Sequence, residues 1–326
     1  MKKLAITIGD PGGVGPEIIV KALYCAEIRN YCVPIVIGDR GPIEEALRLL
    51  KLPTKLRLIK SPEECGRAYI GKLINLIDME VVTKFKKGKP TAEGGNASAR
   101  YIKRAVGFAL NRQVHGIVTA PISKQALKMA GFGWPGHTEM LAEFTSTKDY
   151  AMMLVGGHLK VILVTIHTSL KNVPALITKD KILKTLRLAK RACDMLGIKA
   201  PKIAVAGFNP HAGEAGLFGD EEIKEIIPAV KKALKEGIPV SGPYSPDTVF
   251  HKAYIGDIDV IVCMYHDQGL IPLKMIAFDE GVNLTIGLPI IRTSPDHGTA
   301  YDIAWKGVAD PSSMIEAIKL AVKLKI

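Results

Sequence analysis

Along the chain, short apolar runs rich in Val and Ile alternate with longer stretches that mix apolar and charged positions. The runs at 4–8, 33–37, 116–119, 160–166, 202–206 and 260–264 are nearly continuous in their apolar character. That pattern predicts strands buried on both faces of a parallel sheet. Helical segments follow: one from about Glu17, an amphipathic one at 43–50, one at 98–111, and one opened by Gly136-His137-Thr138-Glu139 with Thr138 as its cap. Residues 84–96, rich in Gly and Lys, read as a polar loop. Repeated strand–loop–helix units predict an α/β fold with a largely parallel sheet. At 326 residues the chain exceeds the usual size of one domain, so two are expected. No internal repeat or low-complexity linker marks the boundary.

In open parallel sheets, ligand chemistry collects beyond the carboxyl ends of strands. Three of the predicted strands run out into histidine: Ile166 before His167, the loop Asn209-Pro210-His211-Ala212-Gly213-Glu214, and Tyr265 before His266. One such histidine is an ordinary packing residue. Three at one end of a sheet, plus an open position, make a catalytic metal site suited to zinc, cobalt or related ions. No pair has the short HxxxH spacing, so convergence is not proved by spacing. His115, His158 and His251 lie near strand starts or in connections and read as structural. Lys274, Asn283 and Arg292 bring enough donors to hold a phosphate or carboxylate. His137 and Thr138, at a helix N-terminus, are phosphate candidates as well.

A nucleotide has two possible seats. The loop Gly9-Asp10-Pro11-Gly12-Gly13-Val14-Gly15-Pro16-Glu17 has glycines that allow close backbone approach to a ligand. Its spacing is not GxGxxG, because the third position is Ile18. Asp39, at the end of the second predicted strand, stands where a dinucleotide fold keeps its ribose-binding acid. The other seat is 294–311, where Gly298, Thr299 and Ala300 are small enough to let backbone amides approach an adenosine or phosphate.

Composition removes several classes. Hydrophobic content of 48%, with 31 Gly and 20 Pro, fits a globular protein and not a disordered one. The net charge of +12 raises nucleic acid as a partner. The lysines, however, are spread along helical segments without interleaved aromatics, as on solvated helix faces. Five scattered cysteines without a CxxC read as free thiols in a reducing cytoplasm. No stretch reaches the ~18–20 apolar residues of a membrane span, and the N-terminal apolar run is too short for a signal peptide.

The segments GDPGGVGPE at 9–17, VTAPISK at 118–124, GHTE at 136–139, IHTSL at 166–170, NPHAGE at 209–214, SPDTVF at 245–250 and YHDQG at 265–269 resemble the 4-hydroxythreonine-4-phosphate dehydrogenase family. The match is in order and spans essentially the whole chain. The segment from His297 to Gly307 is also similar to the nucleotide loop of isocitrate and isopropylmalate dehydrogenases. The resemblance implies a two-domain α/β/α fold like those enzymes, with one domain from 1–125 plus 276–326, another from 126–275, and the active site in the cleft. It implies a divalent metal (zinc, cobalt or magnesium) on His167, His211 and His266, shared across a homodimer. Substrate would be held by His137, Thr138, Lys274, Asn283 and Arg292. NAD or NADP would lie on His297, Gly298, Thr299, Ala300 and Asp302.

The reaction so implied is oxidation of 4-(phosphooxy)-L-threonine to a β-keto acid, which decarboxylates to 3-amino-2-oxopropyl phosphate in pyridoxal phosphate biosynthesis. Asp247 and Asp267 are acid–base candidates, and Asp267 is equally placed to orient His266. The nearest competing reading is a relative that oxidises threonate or erythronate 4-phosphate, for which every named residue would be shared. A metallohydrolase without nucleotide and a nucleic-acid-binding protein are the rivals from other classes. The His297–Gly307 segment speaks against the first, and the absence of any recognition module against the second.

Overall fold

The structure is a computed structural model that describes residues 1–65 and 73–326, with the backbone alone at Arg29. In chain order it forms β1 (Lys2–Thr7), α1 (Gly15–Tyr24), α2 (Ala26–Tyr31), β2 (Cys32–Gly38), α3 (Arg40–Leu49), β3 (Lys55–Leu58), β4 (Leu73–Asp78), α4 (Ala92–Leu110), β5 (Gly116–Thr119), α5 (Lys124–Met129) and α6 (His137–Phe144). Then come β6 (Ala151–Gly156), β7 (Leu159–Leu163), α7 (Val173–Leu176), α8 (Lys179–Met195), β8 (Ile203–Ala206), α9 (Ile227–Lys235), β9 (Val240–Tyr244), α10 (Pro246–Tyr254), β10 (Val260–Cys263), α11 (His266–Ala277) and β11 (Val282–Ile286). The chain closes with β12 (Ile291–Pro295) and α12 (Ser312–Lys323). It divides into a first unit of Met1–Lys148 with Leu288–Leu324 and Ile326, and a second of Asp149–Gly287 with Lys325.

In the first unit the strand order is β3-β4-β2-β1-β5-β12, and every neighbouring pair is parallel. β1 is central: Leu4 registers with Pro34 on one side and Gly116 on the other. Leu4, Ala5 and Ile6 are fully buried, as a strand covered on both faces must be. α4 packs on β1, β2 and β5, while α12 packs on β5 and β12 and joins α1 and α2. In the second unit the order is β11-β6-β7-β10-β8-β9. β7, β10, β8 and β9 run parallel, and β6 is antiparallel to both neighbours. Its core joins Leu154, Val161, Leu163 and Ile261 from the sheet to Val249 and Ala253 of α10 and Leu270 and Leu273 of α11.

Several expectations need adjustment. Residues 84–96 are not all loop: α4 begins at Ala92, capped by Thr91, whose hydroxyl accepts from the Gly94 amide at 3.0 Å. Gly94 and Gly95 looked like loop residues but serve packing. A Cβ on Gly95 would lie 2.1 Å from the Ala126 carbonyl oxygen, so only glycine lets α5 come this close. The N-cap of α6 is Gly136, and Thr138 sits inside the helix. β7 ends at Leu163, so His167 lies on the irregular segment beyond it. The unit bounds fall later than 125 and 276. α5 and α6 pack on α4, which keeps residues 126–148 with the first sheet, and β11 pairs with β6, which keeps 282–286 with the second.

Candidate active site

The adjacent parallel strands β7, β10 and β8 release their chains at one sheet end, and each exit carries a histidine. These exits are tied together by side chains. The Thr165 hydroxyl donates to the Met264 carbonyl at 2.7 Å. The buried Gln268 amide accepts from the Met264 amide and donates to the Gly207 carbonyl, each at 2.7 Å. Glu222, 1% exposed, accepts from the Phe208 and Asn209 amides at 2.7 Å. His211 is exposed on a run in which residues 211–215 are all left-handed, with φ of 54° at His211 and 55° at Ala212. For non-glycine residues that backbone is strained, and it persists where the surroundings over-determine it.

The His167 and His266 rings lie 5.8 Å apart between centroids. His266 Nδ1 is 2.7 Å from Asp267 Oδ1, so Asp267 orients that ring and leaves Nε2 outward. Asp247 is exposed; the Ser245 hydroxyl, first of all, holds its carboxyl below the usual range, and the His211 charge adds a little. Among the described residues, no group of three or more His, Cys, Asp or Glu stands in ligating geometry. His167 and His266 are paired within this chain, while His211 extends from the neighbouring exit. Two exposed imidazoles and a half-buried one with a carboxylate behind it are the donor set a divalent transition metal takes. Lys274 is on α11, not beyond a strand, with Nζ 5.7 Å from the Phe278 ring centre. Asn283 lies in β11, and its Oδ1 is buried without a hydrogen-bond partner among the described residues.

The first unit holds a second constellation. Arg292 lies in β12 and is 1% exposed; its Nε and Nη2 donate to Thr119 Oγ1 at 3.1 and 2.8 Å. Burial lowers its pKa to about 9. His137, at the start of α6, is held neutral, its pKa pushed well below the ordinary value by burial and then by the Arg292 charge. Its Nε2 is buried with no hydrogen-bond partner among the described residues. A buried guanidinium calls for an anion beside it, and the spare nitrogen of a neutral imidazole accepts from a donor.

The two nucleotide seats turn out to be one packed assembly. In the N-terminal loop, a Cβ on Gly9 would meet the Pro121 oxygen at 2.2 Å, one on Gly12 the Lys86 oxygen at 2.5 Å, and one on Gly15 the Ile8 oxygen at 2.1 Å. Those glycines make room for protein backbone. The loop braces 299–309: Val14 N donates to Thr299 O, Trp305 Nε1 to Pro11 O, and the Tyr301 hydroxyl to Asp10 Oδ2 at 2.6 Å. Glu17 accepts from the Gly307 amide, and Lys21 Nζ donates to the Gly307 and Ala309 carbonyls. Asp39 is taken as well, accepting from the Val81 and Val82 amides and the Tyr101 hydroxyl. By contrast, His297, Gly298 and Asp302 are exposed, Thr299 and Ala300 half-buried, and a Cβ on Gly298 meets nothing within 4 Å. The open backbone of 297–302 fits a dinucleotide better than the filled N-terminal loop does.

Sequence reasoning missed Gln268, Glu222 and Tyr301. The first two act through backbone groups; Tyr301 meets a partner 291 residues away. Their presence inside or beside the motif segments was the one available signal.

Against known proteins, a family model described as pyridoxal phosphate biosynthetic protein PdxA matches residues 30–321. The chain is 48% identical to a 4-hydroxythreonine-4-phosphate dehydrogenase of Trichlorobacter lovleyi, covering 99% of this chain and 97% of that one. It is 46% identical to a D-threonate 4-phosphate dehydrogenase of Pectobacterium atrosepticum, covering 99% of each. The crystal structure of 4-hydroxythreonine-4-phosphate dehydrogenase from Klebsiella pneumoniae is similar with a TM-score of 0.90 at 44% identity, over 98% of both chains.

Proposed function

This chain belongs to the family of pyridoxal phosphate biosynthetic protein PdxA, and from that membership we propose that it oxidises 4-(phosphooxy)-L-threonine with NAD or NADP. The β-keto acid formed loses carbon dioxide to give 3-amino-2-oxopropyl phosphate. The observation that carries the reading is the buried Arg292 beside neutral His137, a site that calls for a phosphate or carboxylate.

In this reading Arg292 grips a charged end of the substrate, and burial strengthens that grip because little water competes. Thr138, at the start of α6, adds a donor to the anion, while Nε2 of neutral His137 accepts from a substrate hydroxyl. Lys274 adds a positive charge from α11. The unpaired Asn283 Oδ1 accepts from a substrate hydroxyl or ammonium. Asp247, kept ionised by Ser245, and Asp267 are the candidates to take the proton of the hydroxyl under oxidation. When bound, a zinc, cobalt or magnesium ion on His167, His211 and His266 supplies Lewis acidity, and a dinucleotide on His297, Gly298, Thr299, Ala300 and Asp302 supplies the hydride acceptor. A homodimer fits the uncovered apolar stripe Ile271, Met275 and Phe278 along α11, where Met275 is 85% exposed. Five free cysteines fit a cytoplasmic setting.

Oxidation of threonate 4-phosphate is the second reading, favoured by the 46% identity to the Pectobacterium enzyme. The deciding experiment follows NAD(P)H absorbance with the two phosphorylated acids side by side, with and without a chelator. Faster turnover of the amino acid, lost on chelation, is expected. Turnover of threonate 4-phosphate alone would reassign the substrate, and none with either would overturn the dehydrogenase reading.

A further inference from the structure

The geometry points to Tyr301 and Asp10 as a positioning pair that holds residues 297–302 in the shape a dinucleotide needs, an assignment that rests on the cofactor lying on 294–311. Tyr301 is the one residue of that exposed stretch whose side chain turns inward to a charged partner. Its hydroxyl donates to Asp10 Oδ2 at 2.6 Å, a short, charge-assisted bond. Ser123 and Thr299 lie close enough to pull the phenol's pKa down against the larger upward push of burial and of Asp10. One ring thus joins the loop at 9–17, the turn at 118–124 and the exposed stretch itself.

Asp10 is fixed from the other side. It is 1% exposed, and its Oδ1 accepts from the Gly12 amide at 2.9 Å. A Cβ on Gly94 would sit 2.8 Å from that oxygen, so the carboxylate is seated against the first turn of α4, where a helix favours negative charge. The neighbouring Ala300 is left-handed at φ 42°. A strained residue next to a buried anchor keeps its shape only while the anchor holds. The pair would set the path of the backbone at 298–300 without touching substrate or cofactor.

The test is calorimetric titration of NAD into Tyr301→Phe, Asp10→Asn and Gly298→Leu variants, with Michaelis constants for dinucleotide and hydroxy acid measured alongside. Tyr301→Phe should weaken NAD about tenfold, the loss expected for one charge-assisted hydrogen bond. The Michaelis constant for the acid should not move. Asp10→Asn leaves one amide oxygen for two donors, the Gly12 amide and the Tyr301 hydroxyl, and should weaken NAD as well. A Tyr301→Phe protein that binds NAD as the parent does, while Gly298→Leu weakens it, would overturn the pair and leave the cofactor seat standing. If Gly298→Leu binds NAD normally, the seat itself is wrong and the pair falls with it. Equal rises in both Michaelis constants for Tyr301→Phe would show a merely structural tyrosine and also overturn the assignment.

Discussion

Around Arg292 the first unit buries its polar chemistry, whereas the strand exits of the second display theirs. Arg292, Asp10 and Glu17 are buried and braced, whereas His167, His211 and Asp267 are exposed at strand exits. In the first, the candidate binding groups are also folding groups, because removing one side of a buried hydrogen bond leaves the other side unsatisfied. In the second, the tethers Thr165, Gln268 and Glu222, and not the exit histidines, carry the structure. Function and stability should therefore separate in the second unit and move together in the first.

The sharpest way to break this contrast is His211→Ala. Metal content and metal-dependent rate should collapse, by more than the roughly 10–100-fold that loss of an outer partner of a metal ligand costs. The thermal midpoint should barely move, since exposed substitutions stay within about 0.5 kcal/mol. Normal metal content and rate would refute the ligand assignment. Arg292→Ala comes next: substrate binding should weaken by about 1.5–3 kcal/mol, the range for a hydrogen bond to a charged group. Here the midpoint should fall as well. An unchanged Michaelis constant with a lowered midpoint would make Arg292 purely structural.

The smallest effect is a pH slope. The folded pKa of His137 is depressed, by burial first, so the unfolded chain binds more protons below its ordinary value of 6.5. Its contribution is full above that pH and is lost as pH falls toward the folded value. Melting followed from pH 7 to about 5 should show a decline that His137→Gln flattens. Parallel curves for the two proteins would mean that His137 is solvated.

The layered fold was legible because near-continuous apolar runs have few alternatives to a buried parallel strand. Both the central β1 and the histidine-bearing exits followed from that pattern. What escaped was set by contacts distant in sequence. Gly94 and Gly95 read as loop because nothing local announces the Asp10 carboxylate against the first or the Ala126 backbone against the second. The antiparallel β6 went unassigned, since one more apolar run carries no mark of direction. Ala212 and Ala215 gave no hint of a left-handed backbone, which glycine or asparagine would have advertised. Tyr301 looked like any polar loop residue until Asp10 was found beneath it.

The indole of Trp305, tilted against Phe85 at 4.9 Å and hydrogen-bonded to Pro11, has an optical consequence. The other tryptophan of the chain, Trp134, sits beside Phe132 at 4.7 Å, and both belong to the first unit. Intrinsic emission excited at the indole band therefore watches that unit alone. Melting of the histidine-bearing half is dark at those wavelengths, and a single fluorescence transition reports on one half of the molecule. Far-ultraviolet circular dichroism, which sees α8 to α11 as readily as α4, supplies the missing signal.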